Sequence, residues 1–200
     1  MPDSDSSPRS QRGFTLIEAV ITVALLGILL LIGLPTVLGT LNRTRLTGTT
    51  REIATLLQVA RLEAIKMDAP VEVNYDVGSN SFISFVDMDR DGLESAPDRR
   101  LGSVIRVPRK IEFRGPGDAA PNGANAIDGW DNAPANPGPV FRPDGSADRV
   151  GAYRFRDSNN NILEVRIETP ATGRMILRKW DPALDIFYAH LENDRRWEWY

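Results

Sequence analysis

Between Ala19 and Leu41 the chain carries no charged residue, and only Thr22, Thr36 and Thr40 interrupt its apolar and small side chains. A helix of that length crosses the roughly 30 Å hydrocarbon layer of a bilayer. In lipid, a helix also satisfies its own backbone hydrogen bonds, which an isolated strand cannot do. The segment therefore predicts a single membrane anchor. One acidic residue, Glu18, stands at its leading edge. A carboxylate in hydrocarbon is costly unless it is paired, and such a group usually marks function.

A secretory signal is the first alternative, since it too places a basic start before an apolar run. It fits poorly, because this run is longer than the usual signal core, carries Glu18, and has only Gly39-Thr40 as a weak cleavage context. Arg9 and Arg12 favour a cytoplasmic N-terminus, whereas Arg43 and Arg45, just past the span, oppose it under the positive-inside rule.

The residues Gly13-Phe14-Thr15-Leu16-Ile17-Glu18 resemble the class III leader of type IV pilins and type II secretion pseudopilins: a glycine, then Phe-Thr-Leu-Ile-Glu, then an apolar helix. The resemblance implies that residues 1–13 are a leader removed by a prepilin peptidase. It further implies cleavage after Gly13 on the cytoplasmic side, N-methylation of Phe14, and retention of residues 14–41 as a transmembrane and filament-core helix. Glu18 can then meet the amino group of Phe14 within its own or a neighbouring subunit, which sets axial register. The bland reading leaves Glu18 near the interface, complementing the positive end of a helix. Pro35, with Gly33 and Gly39, is expected to bend or loosen the outer part of the span, a role in assembly or an ordinary membrane-helix kink.

Past the span, Leu46, Ile53, Leu57, Ala60, Ala64 and Met67 recur at helical spacing, which predicts an amphipathic helix over 42–69 closed by Pro70. The period then becomes two. Val71, Val73 and Tyr75 alternate with polar residues, a Gly78-Ser79-Asn80 turn follows, and Phe82 to Val86 completes a hairpin. Further strands are expected at 101–107, 111–114, 140–142, 151–156, 162–168 and 174–180, each burying one face. The expected fold is α+β: a long N-terminal helix, half membrane-spanning and half amphipathic, packed on an antiparallel β-sheet domain over 70–200. Residues 115–139, rich in glycine, proline, alanine and asparagine, read as a long loop in which Trp130 either pins the segment to the sheet or anchors a partner.

Composition narrows the function. The formal net charge is −3, which gives no global nucleic-acid footprint, and there is no cysteine for a disulfide or a thiolate metal site. His190 is the single histidine, so the usual triad and zinc constellations cannot be assembled, and no enzymatic activity is expected. Asp87, Asp89, Asp91 and Gly92, with Asp98 eleven residues after the first, fit the D-x-D-x-D-G-x5-acid spacing of a calcium loop. Against calcium stand the strand flanks, the final aspartate in place of glutamate, and Glu94 at a usually apolar position. The alternative is a hairpin turn rich in aspartate and glycine.

The stretch from Ile53 to Pro70, Phe85-Val86-Asp87 leading into Asp91-Gly92, Phe141-Arg142-Pro143-Asp144-Gly145 and Thr172-Gly173-Arg174 resemble the GspH and FimT/FimU family of pilin-like subunits. That resemblance implies a minor pilin or pseudopilin near the filament tip that helps start assembly. Its implied partners are other pilin-like subunits, the prepilin peptidase and an inner-membrane assembly platform, with the C-terminal domain periplasmic. DNA capture is the competing role, because FimT-like relatives carry a G-R-x-R motif for that purpose. Here the stretch is Gly173-Arg174-Met175-Ile176, with isoleucine in place of the second arginine, and nucleic acid is not the expected partner. In that alternative the contacts fall to Arg174, Arg178, Arg195 and Arg196, beside an aromatic tail of Trp197, Trp199 and Tyr200.

Overall fold

A computed structural model describes residues 14–102, 104–130, 138–190, 192 and 195–199, without the side chains of residues 35 and 36. The leader and Gly13 lie outside the described residues. Two compact units divide the chain, one ending at Leu38 and the other running from Gly39.

Helix α1 spans Leu16–Met67. Its start is chemically specified: the Thr15 hydroxyl accepts the backbone N–H of Glu18 at 3.3 Å, in the Thr-x-x-Glu arrangement of a capping box. Its end is set by Asp68, whose φ of 50° turns the backbone left-handed two residues before Pro70. In the first unit the apolar side chains of α1 are exposed, with Leu16 at 83% and Leu31 at 77%. A helix that is apolar all round suits lipid. In the second unit the stripe behaves as its period dictates: Leu46, Ile53, Leu57, Ala60 and Ala64 are fully buried.

Among the described residues eleven strands follow: β1 Val71–Asp76, β2 Ser81–Val86, β3 Arg99–Arg100, β4 Ile105–Arg106, β5 Ile111–Phe113, β6 Ile127–Asp128, β7 Val140–Phe141, β8 Gly151–Asp157, β9 Ile162–Thr169, β10 Arg174–Asp181 and β11 Ile186–Ala189. They form two antiparallel sheets. The first has the order β3-β2-β1-β7, with β4 also on β2; the second has the order β11-β10-β9-β8-β5, with β6 also on β8. The fold is α+β, as the periodicities predict.

Both sheets and the soluble half of α1 contribute to one apolar core. Tyr75, Phe82, Phe113, Tyr153 and Phe155 form an aromatic cluster at its centre; the Tyr75 and Phe113 rings lie 3.9 Å apart, and Phe82 meets Tyr153 edge-on at 4.8 Å. The Tyr153 hydroxyl, inside this cluster, donates to the Val73 carbonyl of the other sheet at 2.8 Å. Arg61 ties α1 to the loops of the sheets: its Nε donates to the Gly145 carbonyl at 2.8 Å. Gly173 lies beside the same side chain with φ 58°, a left-handed conformation that favours glycine, and a Cβ there would come within 2.8 Å of the end of Arg61 and require it to shift.

Three expectations change. The strand expected over 101–107 is reduced to β4, because Gly102 takes a φ of 63° and breaks the ladder. Leu101 and Val107 still donate backbone bonds to Ser84 and Asn80 beside β2. The expected 115–139 loop contains a strand, β6, and Trp130 is fully buried against Tyr153, so it pins the segment to the sheet. One-face burial fails in β1 and β9, where Glu72, Asn74 and Glu164 are buried too.

Candidate functional site

Three groups of residues carry candidate chemistry. The first is the N-terminal end of α1. Phe14 is 80% exposed and immediately precedes the capping Thr15, and Glu18 lies in the first turn with its side chain exposed. That turn is where a carboxylate complements the helix dipole. Pro35 falls inside α1, and its side chain is outside the described residues.

The second is the loop after β2. It brings Asp87, Asp89, Asp91 and Asp98 together, with one carboxylate oxygen from each lying within 4.8 Å of the others. Calcium–oxygen distances are about 2.3–2.6 Å, so oxygens on opposite sides of such an ion are about that far apart. The loop folds this way because its carboxylates also hold its backbone. Asp87 accepts the N–H groups of Asp91 and Gly92 at 3.2 and 3.1 Å, and Asp98 accepts those of Met88 and Ser95 at 2.8 and 2.7 Å. Gly92 supplies the left-handed turn with φ 76°. Burial pushes the Asp87 carboxyl up despite its N–H donors, whereas the Met88 and Ser95 N–H bonds hold Asp98 down. Glu94 turns away to pair with Arg100.

The third is the basic set on the second sheet. In register, Arg154 of β8, Glu164 of β9 and Arg178 of β10 face one another across three strands. Glu164 is fully buried and accepts from Arg154 Nε at 3.0 Å and from Arg178 Nε at 2.8 Å. Asp128 of β6 then takes Arg154 Nη2 and Arg166 Nη1 at 3.0 and 2.6 Å. Arg178 is thus committed to a structural ladder. Arg174 is exposed, 3.6 Å from Glu168, and Arg195 lies 3.9 Å from Asp181. Arg196 is exposed, and its carbonyl accepts the Tyr188 hydroxyl at 3.3 Å. Of these four arginines, Arg174, Arg178 and Arg195 each have a carboxylate within ion-pair distance.

Reasoning from the sequence missed a fourth grouping, in which Arg43 and Arg51 of α1 meet Trp197 and Trp199 of the tail around a cleft. Its legible signals were Arg43, just outside the apolar span, and the aromatic tail of Trp197 and Trp199, with nothing in the sequence to bring the two together.

Comparison with known proteins agrees with the leader and the domain. The family model described as a prokaryotic N-terminal methylation motif matches residues 8–34. A curated relative, the pilin-like protein PilA1 of Thermus thermophilus, is 37% identical over 81 residues, covering 40% of this chain. The chain spans about half the length of that relative, 51%. No solved structure matches. The model described as "Type II transport protein GspH" covers residues 49–173, from within α1 to the glycine before β10. The chain belongs to the GspH family of pilin-like proteins.

Proposed function

We propose that the chain is a non-enzymatic minor pseudopilin or pilin. It is held by α1 in the bacterial inner membrane with its β-rich domain in the periplasm, then drawn into a filament near the tip, where it helps initiate assembly. The observation that carries this reading is the joining, in one chain, of a methylation motif over 8–34 and a GspH match over 49–173. The exposed large apolar side chains described between Leu16 and Leu41 support it. The proposed partners are the prepilin peptidase, the assembly platform and other pilin-like subunits met through residues 14–41. Within that bundle Glu18 pairs with the methylated amino group of Phe14 and sets axial register, and both charges are thereby offset in lipid.

Glu18 also occupies a helix-start position, so the test must separate capping from charge. Glutamine keeps the capping-box geometry and removes the charge. Glu18→Gln is expected to insert into the membrane normally and to lower incorporation into filaments; normal incorporation would sink the pairing. Substitution of Gly13 is expected to leave the leader attached, and a mature mass beginning at Phe14 would contradict the cleavage site.

DNA capture remains the alternative reading. The pairing of Arg178 with Glu164 and the isoleucine at position 176 weigh against it. A salt-sensitive mobility shift of DNA by the full chain would favour it.

A further inference from the structure

The cleft between the base of the soluble half of α1 and the C-terminal tail has a volume of about 810 Å³. Arg43 and Arg51 line it from the helix, His190, Trp197 and Trp199 from the tail side, and Leu177 of β10 from below. Its aromatic wall is built rather than loose. Trp197 donates its Nε1 proton to the Tyr188 carbonyl at 3.3 Å, Trp199 packs edge-on to Trp197 at 6.1 Å, and both lean on the core. The Arg43 guanidinium lies over the Trp199 ring at 4.5 Å.

The cations of this cleft face an aromatic wall and not a carboxylate, unlike Arg100, Arg114, Arg154, Arg166 and Arg178, which sit on acidic side chains. Among the described residues Arg43, Arg45 and Arg51 make no ion pair, and no acidic side chain lines the cleft. In a chain of net charge −3 this is a local cationic excess that calls for an anion.

Position selects which anion. Arg43 is the second residue after Leu41, the last of the apolar span, and so lies about 3 Å further along the helix axis. The headgroup layer on each side of a bilayer is roughly 5–8 Å deep, so Arg43 falls within it. Arg51 lies about 15 Å past Leu41 along the axis, above that layer, and meets a phosphate at its outer margin only through its long side chain, which leans toward the N-terminus and so toward the membrane. Tryptophan favours this same depth. We infer that the cleft holds the phosphate headgroup of an anionic phospholipid of the outer leaflet, with Arg43 and Arg51 on the phosphate and the Trp197 and Trp199 indoles in the interface. This rests on the proposed orientation of the anchor. It gives a role to the cations outside the span, which otherwise oppose the positive-inside rule. It also makes release of a lipid part of extraction into a filament.

The test uses the full chain in detergent, with phosphatidylglycerol or phosphatidylcholine added and retained lipid read by native mass spectrometry. Wild type is expected to keep phosphatidylglycerol in preference to phosphatidylcholine. The double variant Arg43→Gln with Arg51→Gln should bind it about thirtyfold more weakly, from the roughly fivefold that each cation near a lipid surface contributes. Arg106→Gln with Arg109→Gln, which removes the same charge from exposed sites elsewhere, should bind as wild type does. Equal retention by the cleft variant and wild type overturns the site. So does tighter binding of a single-stranded oligonucleotide than of phosphatidylglycerol, lost in the same variant. A carbonate wash of membranes separates the two layers of the argument. Protein that stays in the membrane but retains no phosphatidylglycerol overturns the lipid site alone, whereas protein that washes off overturns the anchor and the site together.

Discussion

Substituting Glu164 by alanine should be among the most damaging single changes to the second sheet. The carboxylate is fully buried and lies between two guanidiniums held opposite it by strand register, at 3.0 Å and 2.8 Å. Removing it leaves Arg154 and Arg178, whose side chains are only 14% and 22% exposed, without the charge between them. Breaking a buried pair by deleting one partner typically costs about 3–5 kcal/mol. Arg154 keeps Asp128, which places the expected loss near the lower end, about 3 kcal/mol. For a domain of this size that corresponds to a fall in Tm of roughly 6–12 °C. The assay is thermal unfolding of the full chain in detergent, followed by circular dichroism, for Glu164→Ala, Arg178→Ala and the double variant. Arg178→Ala should cost less, about 1–2 kcal/mol, since Glu164 then retains Arg154. The double variant should fall short of the sum, because the two residues share one interaction. A loss below about 1 kcal/mol in Glu164→Ala, or strict additivity, would refute the ladder as a coupled unit and return Arg178 to the residues available for ligands.

Calcium at about 10 mM should raise Tm by roughly 3–6 °C if the aspartate loop binds with the millimolar affinity usual for extracellular sites. The shift should vanish in Asp89→Asn with Asp91→Asn; no shift beyond that given by magnesium would refute binding. Burial, reinforced by Asp76, pushes the Tyr75 hydroxyl up to about 12 from its ordinary value of 10.0. The folded state then keeps a proton that the unfolded chain loses, so stability is full below pH 10 and declines as pH rises toward 12. Tyr75→Phe should flatten that decline, and an unchanged slope of Tm against pH would refute the assignment. Gly151→Ala should cost about 1–3 kcal/mol, because its Cβ would lie 2.2 Å from Trp130. A variant with wild-type Tm would show that Trp130 shifts freely.

Legibility followed length and period. The apolar span and the stripe from Leu46 to Ala64 were plain because a helix repeats its pattern over many turns. Strands β8, β9 and β10 were legible for the same reason at period two. The division into two sheets was not, since it depends on β3, β4, β6 and β7, each two residues long and too short to show a period. Strand β11, four residues after a Pro182-to-Asp185 turn, escaped likewise. Glu164 misled the alternation rule because Arg154 and Arg178, ten and fourteen positions away and invisible to a local pattern, allow its carboxylate to be buried. Among the candidate sites, the aspartate loop was readable because its members lie within twelve positions of one another. The cleft of Arg43 and Trp199 was not, because its walls are separated by most of the chain.

The seating of Arg61 against Gly173 bears on how such chains are sorted by signature. A side chain at that glycine would have to displace the end of Arg61 and adopt a left-handed backbone, so local packing and conformation favour glycine there with no ligand involved. A search that treats glycine followed by arginine as a mark of nucleic-acid capture will therefore also gather chains that keep the glycine for its turn and its packing. The discriminating information lies in whether the arginines beyond it are free or, like Arg178, already spoken for.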